Sequence, residues 1–127
     1  MPLVLKTRTF TRWQRGERLP DSALCAAVRE VERGLFDADL GGHLYKKRVA
    51  RPGGGKRGGY RTLISAVLGD QYVFLYGFAK SGASNVSALE ERALRFTGAA
   101  IMKLDPDARG KALEAKELLE VPCEQDH

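Results

Sequence analysis

Between Leu40 and Gly69 the chain carries Lys46, Lys47, Arg48, Arg51, Lys56, Arg57 and Arg61 and no acidic residue. A surface built only for solubility mixes its signs. A one-sign block interleaved with Tyr45 and Tyr60 therefore points to a polyanion, and RNA is the polyanion expected. Lys46 and Arg48 alternate onto one side of a predicted strand, and Arg61 lies just inside the next strand, where it can join them. Gly53, Gly54, Gly55, Gly58 and Gly59 surround Lys56 and Arg57, so backbone N–H groups and two cations can approach phosphates closely there. The plainer reading of that loop is a long hairpin connection.

Other chemistries find little support. His43 stands at a strand start and His127 at the last residue, so a two-histidine acid–base site is not expected, nor a histidine metal site. The carboxylates avoid the basic stretch, which leaves no Mg²⁺-dependent nuclease cluster. Any chemistry on RNA would have to run on Lys, Arg and Tyr, with no metal and no cofactor. Gly53 to Gly58 formally satisfies G-x-G-x-x-G, but Tyr60-Arg61-Thr62-Leu63-Ile64 reads as a strand where a dinucleotide or P-loop site needs a helix. Tyr72, Phe74, Tyr76 and Phe78 alternate along another strand. They are expected as core on one face, with Phe78, nearest the mouth, the candidate for base contact.

The elements that must position these groups follow from periodicity and punctuation. Leu3–Thr7 is a short apolar run, read as an edge strand. A short helix over Phe10–Arg18 shows Phe10 and Trp13. A second helix, with Asp21 or Ser22 as its expected N-cap, repeats Leu24, Val28, Val31 and Leu35 on one stripe. Strands are predicted at about 43–51 and 60–68, then, after the Gly69-Asp70 turn, at 71–80 as a central strand. A third helix, opening near Asn85 or Ser87, is expected to bury the stripe Leu89, Ala93, Phe96, Ala100 and Leu104. Asp105-Pro106 reads as a cap followed by a first-turn proline, opening a last helix that reaches Glu120. The order β-α-α-β-β-β-α-α is an α+β fold, a small mainly antiparallel sheet with helices packed on it.

The 127 residues fit a single domain, with a core at about 3–104 and a C-terminal helical extension at about 105–122. The formal net charge is +5, concentrated in the middle of the chain, while Glu114 to Asp126 is mostly acidic. Cys25 and Cys123 have no metal-type spacing; a pairing between them is open, with reduced thiols the simpler expectation. No apolar run is long enough for a membrane span and no signal-peptide pattern opens the chain, so a cytoplasmic protein without a membrane partner is expected.

Three segments together resemble the RelE/HigB-type toxins of the RelE/ParE superfamily, from type II toxin–antitoxin systems. They are Leu44-Tyr45-Lys46-Lys47-Arg48-Val49-Ala50, Gly55-Lys56-Arg57-Gly58-Gly59-Tyr60-Arg61 and Tyr76-Gly77-Phe78-Ala79-Lys80. The resemblance implies a bacterial mRNA interferase, a metal-independent endoribonuclease that cuts mRNA on the ribosome and so inhibits translation. The partners it implies are mRNA, ribosomal RNA and an antitoxin from an adjacent gene. Carried onto this sequence, Lys46, Arg48, Arg61 and Lys80 match the catalytic cations. Lys46 is the candidate proton acceptor, since crowded like charges and partial desolvation disfavour its charged form. Lys47, Arg51, Lys56, Arg57, Tyr60 and Phe78 are the candidate RNA contacts. The tyrosine that follows the last strand in some relatives has no match here, which leaves the proton donor unassigned. Two alternatives stay open: a ParE-like toxin directed at gyrase, whose relatives generally lack this basic set, and a non-catalytic RNA-binding module.

Overall fold

The chain folds as β1 (Leu3–Thr7), α1 (Arg8–Gly16), α2 (Asp21–Glu32), β2 (Ala38–Asp39), β3 (Leu44–Val49), β4 (Tyr60–Val67), β5 (Gln71–Ala79), α3 (Ala88–Met102), α4 (Pro106–Glu114) and β6 (Leu118–Glu120). The structure, a computed structural model, describes residues 2–51, 59–79 and 86–123. The strands form one six-stranded sheet in the order β2-β3-β4-β5-β1-β6. β1 runs parallel to β5, and the other pairs are antiparallel. This is the α+β architecture expected, with β5 at its centre. Among the described residues, no helix is long and apolar enough to cross a membrane.

Each face of the sheet buries its own cluster. Under α1 and α2 lie Val4, Phe10, Leu24, Val28, Val31, Ile64, Tyr72 and Phe74. On the other face Leu5, Leu44, Leu63, Val73 and Leu75 meet Leu94, Ile101, Leu104 and Leu113 of the α3–α4 layer. Two faces, each covered by helices, explain why the central strands are apolar on both sides. A buried polar network ties the first layer together. Lys6 Nζ donates to Gln14 Oε1 at 2.9 Å and to Asp21 Oδ1 at 3.0 Å, while Gln14 Nε2 donates to Asp21 Oδ1 and to the Leu19 carbonyl. Nothing in the local sequence marks Lys6 as internal, and only the fold brings β1, α1 and α2 around it.

Four expectations are corrected. The predicted last helix stops at Glu114; Lys116 takes a left-handed conformation, and Leu118–Glu120 becomes β6. That short strand pairs with β1, so β1 is interior rather than an edge. Three residues carry too little periodicity to announce a strand. The second correction is a bulge. Leu63 pairs with Tyr76 and Ile64 with Phe74, which leaves Leu75 without a partner. The extra residue inverts the alternation beyond it. Tyr72 and Phe74 therefore face α1 and α2, whereas Tyr76 and Phe78 stack 6.0 Å apart on the opposite face. Gly77 turns towards α1, where a Cβ would lie 2.4 Å from the Trp13 ring.

The third correction concerns α3. Ser87, one of the two expected starts, caps it in a reciprocal capping box with Glu90. The buried side is Leu94, Gly98 and Ile101; of the expected stripe Leu104, just past the helix, packs there, whereas Leu89 and Phe96 are 73% and 77% exposed. The sequence holds two apolar stripes, and Gly98 decides between them. A Cβ at Gly98 would fall 1.7 Å from Ser65 Oγ, so only this side lets the helix backbone settle onto β4 and β5. Finally, Cys25 of α2 and Cys123 are joined by a disulfide spanning 98 positions, where reduced thiols were the simpler expectation.

Candidate nucleic-acid interface

Strand pairing sorts the cations of the basic stretch between the two sheet faces. Arg48 stands opposite Arg61, and Arg61 opposite Phe78, so these three form one cross-strand row. Lys46, Leu63 and Tyr76 form the next row on the same face. α3 crosses this face nearer the β4–β5 turn, over Ser65 and Leu75. The arginine row lies beyond it, with Arg48 exposed and Lys46, Arg61 and Tyr76 half-buried.

Cross-strand neighbours on one face have Cβ atoms about 5 Å apart, and like charges placed so repel. Arg48 is partly compensated: its Nε lies 3.3 Å from Asp37 Oδ1, just before β2. Arg61 is not. Its Nη1 is buried with no hydrogen-bond partner among the described residues. A buried donor on a charged group without an acceptor is unfavourable. An incoming phosphate oxygen would satisfy both the donor and the charge, bidentately if the geometry permits.

The other face takes the remaining candidates. Lys47 is buried, with Nζ 2.6 Å from Glu30 Oε1 and 2.8 Å from the Leu35 carbonyl. That lysine fastens β3 to α2 and does not share the arginine row. Tyr60 is 3% exposed, edge-on to Trp13 and within 3.3 Å of the Glu17 carbonyl. Arg51 lies over the Tyr60 ring at 5.4 Å. Neither stands with Arg48 and Arg61. Phe78 does, though at 8% exposure it packs as a wall rather than an open stacking platform. Lys56, Arg57 and Lys80 lie outside the described residues.

Sequence reasoning missed Asp37 and Tyr76. Asp37 sits in a turn-rich connection, and only its proximity to β3 relates it to Arg48. Tyr76 was assigned to the core ladder until the bulge moved it beside Lys46. An isolated glycine inside a strand is a signal for a bulge or a close backbone approach; Gly77 marks the close approach, to Trp13, while the bulge lies two residues earlier at Leu75.

Among the described residues, Glu120 of β6 does not reach this surface. β6 is the far edge of the sheet, separated from β3 and β4 by β1 and β5. Among curated proteins none matches the chain at a significant level. The family sequence model described as the RelE toxin of the RelE/RelB toxin–antitoxin system matches residues 3–121. With that match over nearly its whole length, and an α+β sheet consistent with it, the chain belongs to the RelE toxin family and is the toxin of a toxin–antitoxin system.

Proposed function

We propose that this toxin is a ribosome-dependent mRNA endonuclease acting through Lys46, Arg48, Arg61 and Lys80. The supporting observation is the arginine row: two cations directly opposed across β3 and β4, one with a buried, unsatisfied Nη1. In this reading Lys46 accepts the proton of a ribose 2′-hydroxyl. The 2′-oxygen attacks the adjacent phosphorus while the bond to the 5′-oxygen breaks and that oxygen takes a proton from solvent, giving a 2′,3′-cyclic phosphate and a 5′-hydroxyl. Arg61 donates to a non-bridging phosphate oxygen and offsets the charge that builds there, with Arg48 and Lys80 reinforcing the field. The ribosome holds the message in line, so that the protein supplies charge and proton transfer. Free in the cell, the same face is the surface that an antitoxin has most reason to cover.

Primer extension on a translated message, with and without ribosomes and with chelator present, tests this. Cleavage only with ribosomes is expected, and Arg61→Ala should lower its rate about 10²–10³-fold, the usual loss for one such donor, with ribosome binding retained. Intact message beside active ribosomes would overturn the reading in favour of a gyrase-directed toxin or a binding module. Equal cutting without ribosomes would remove the ribosome from the mechanism.

A further inference from the structure

A second cationic surface lies away from the arginine row. α1 carries Arg8, Arg12 and Arg15 at i, i+4 and i+7, a single stripe with the buried Phe10 on the far side of the helix and the buried Thr11 at the stripe's own edge. Neither Thr7, its N-cap, nor the helix itself includes an acid; Glu17, its C-cap, lies just past Arg15 and does not line the groove described next. The stripe borders a groove of about 300 Å³ whose other wall is Lys116 and Leu119. Arg8 builds the wall: its Nε and Nη2 donate to the carbonyls of Lys116 and Ala115 at 3.0 and 2.9 Å. Those contacts hold the left-handed turn at Lys116 (φ 60°) against α1. Arg12 and Arg15 remain exposed, and among the described residues neither they nor Lys116 has an ion pair.

The nearby acids are turned away. Leu119 faces the groove, whereas Glu117, directly after the left-handed Lys116, lines a different cavity beside Ile101 and Leu104. Glu120 stands opposite Leu5, on the α4 side. Uncompensated like charges in a groove are the footprint of a polyanion. Protein partners are gripped instead by aromatic and apolar anchors in a core depleted of charge, and here the single apolar wall residue is Leu119. Along α1 the three arginines rise about 6 and then about 4.5 Å, a spacing suited to successive phosphates on one strand.

We propose that the groove between α1 and the α4–β6 turn, lined by Arg8, Arg12, Arg15 and Lys116, binds the phosphate backbone of RNA as a site separate from the arginine row. It lies across the sheet from Arg48 and Arg61 and near the opposite edge, so the two surfaces suit a large folded RNA that reaches around the protein. The proposal concerns binding alone and does not depend on cleavage.

The test is anisotropy titration of the full chain with a labelled, mixed-sequence oligoribonucleotide over a range of salt concentrations. Arg12→Gln/Arg15→Gln should weaken binding several-fold at low salt. It should also flatten the slope of log K against log salt by about 1.4, about 0.7 per lost single-strand contact. Lys103→Gln/Arg109→Gln removes the same charge outside the groove and should change neither. The groove effect should persist in an Arg48→Ala/Arg61→Ala background, since the sites are separate. Equal behaviour of the two glutamine pairs, or no RNA binding by the unmodified chain, overturns the proposal. So does loss of polyglutamate binding in the groove variant with RNA affinity intact, which would assign the groove to an acidic protein.

Discussion

Arg48 and Arg61 face each other at a spacing where like charges repel, and among the described residues one carboxylate, Asp37, pairs with either of them. On the proposed function, a ligand phosphate would relieve that imbalance. Lys47 shows the opposite case, one residue away in sequence. Its ammonium is fully engaged by Glu30 and Leu35, so it belongs to stability. Lys47→Met should leave the cleavage rate per folded molecule unchanged. Chemical denaturation should show a loss of roughly 2 kcal/mol, below the ~3–5 of fully buried pairs because Glu30 keeps some solvent. Asp21 adds a pH dependence. Burial pushes its carboxyl upwards, but hydrogen bonds from Gln14 and Lys6 and the Lys6 charge outweigh that and hold it below 3.8. A carboxylate depressed on folding stabilises the native state above its unfolded pKa, and that contribution disappears as pH falls through the folded value. Acid titration followed by circular dichroism should therefore show a sharper loss below about pH 4 in the parent than in Asp21→Asn.

At the level of elements, the distance of α3 from the sheet is set by one glycine. Gly98→Ala would drive a methyl into Ser65 and Leu75, and an urea melt should register a loss of about 1–3 kcal/mol, the usual range for overpacking. Because α3 borders the face that holds Lys46 and Arg61, the same variant should also lower cleavage. Helix starts were legible in the sequence: Ser87 with Glu90, and Asp105 with Pro106, act through neighbours within one turn. So were Lys46 and Arg48 on a common face, since alternation is local. The side on which α3 packs was not, because two stripes compete and the choice depends on Ser65, far away in sequence. The facing of Tyr76 was equally hidden, since one unpaired residue at Leu75 reverses every assignment after it. Separating Arg48 from Lys47 and Tyr60 needed only the pleat; grouping Arg48 with Asp37 needed the tertiary fold.

Over the whole molecule, charge is distributed by face and edge. Cations occupy the open end of β3–β4 on one face and α1 on the other, while Glu117 and Glu120 stay at the β6 edge. The disulfide joins that edge to α2. Closing a loop of this length stabilises a protein by ~2–4 kcal/mol in typical cases, so reductant should lower the denaturation midpoint by a corresponding amount, and Cys25→Ser/Cys123→Ser should make it insensitive to reductant. Between those sulfurs the backbone is a covalent ring that contains β2 to β5, α3, α4 and β6. A protease cut anywhere inside the ring opens it without releasing a piece. Digested protein should keep its full apparent mass on a denaturing gel until thiol is added, and only then disclose where it was broken.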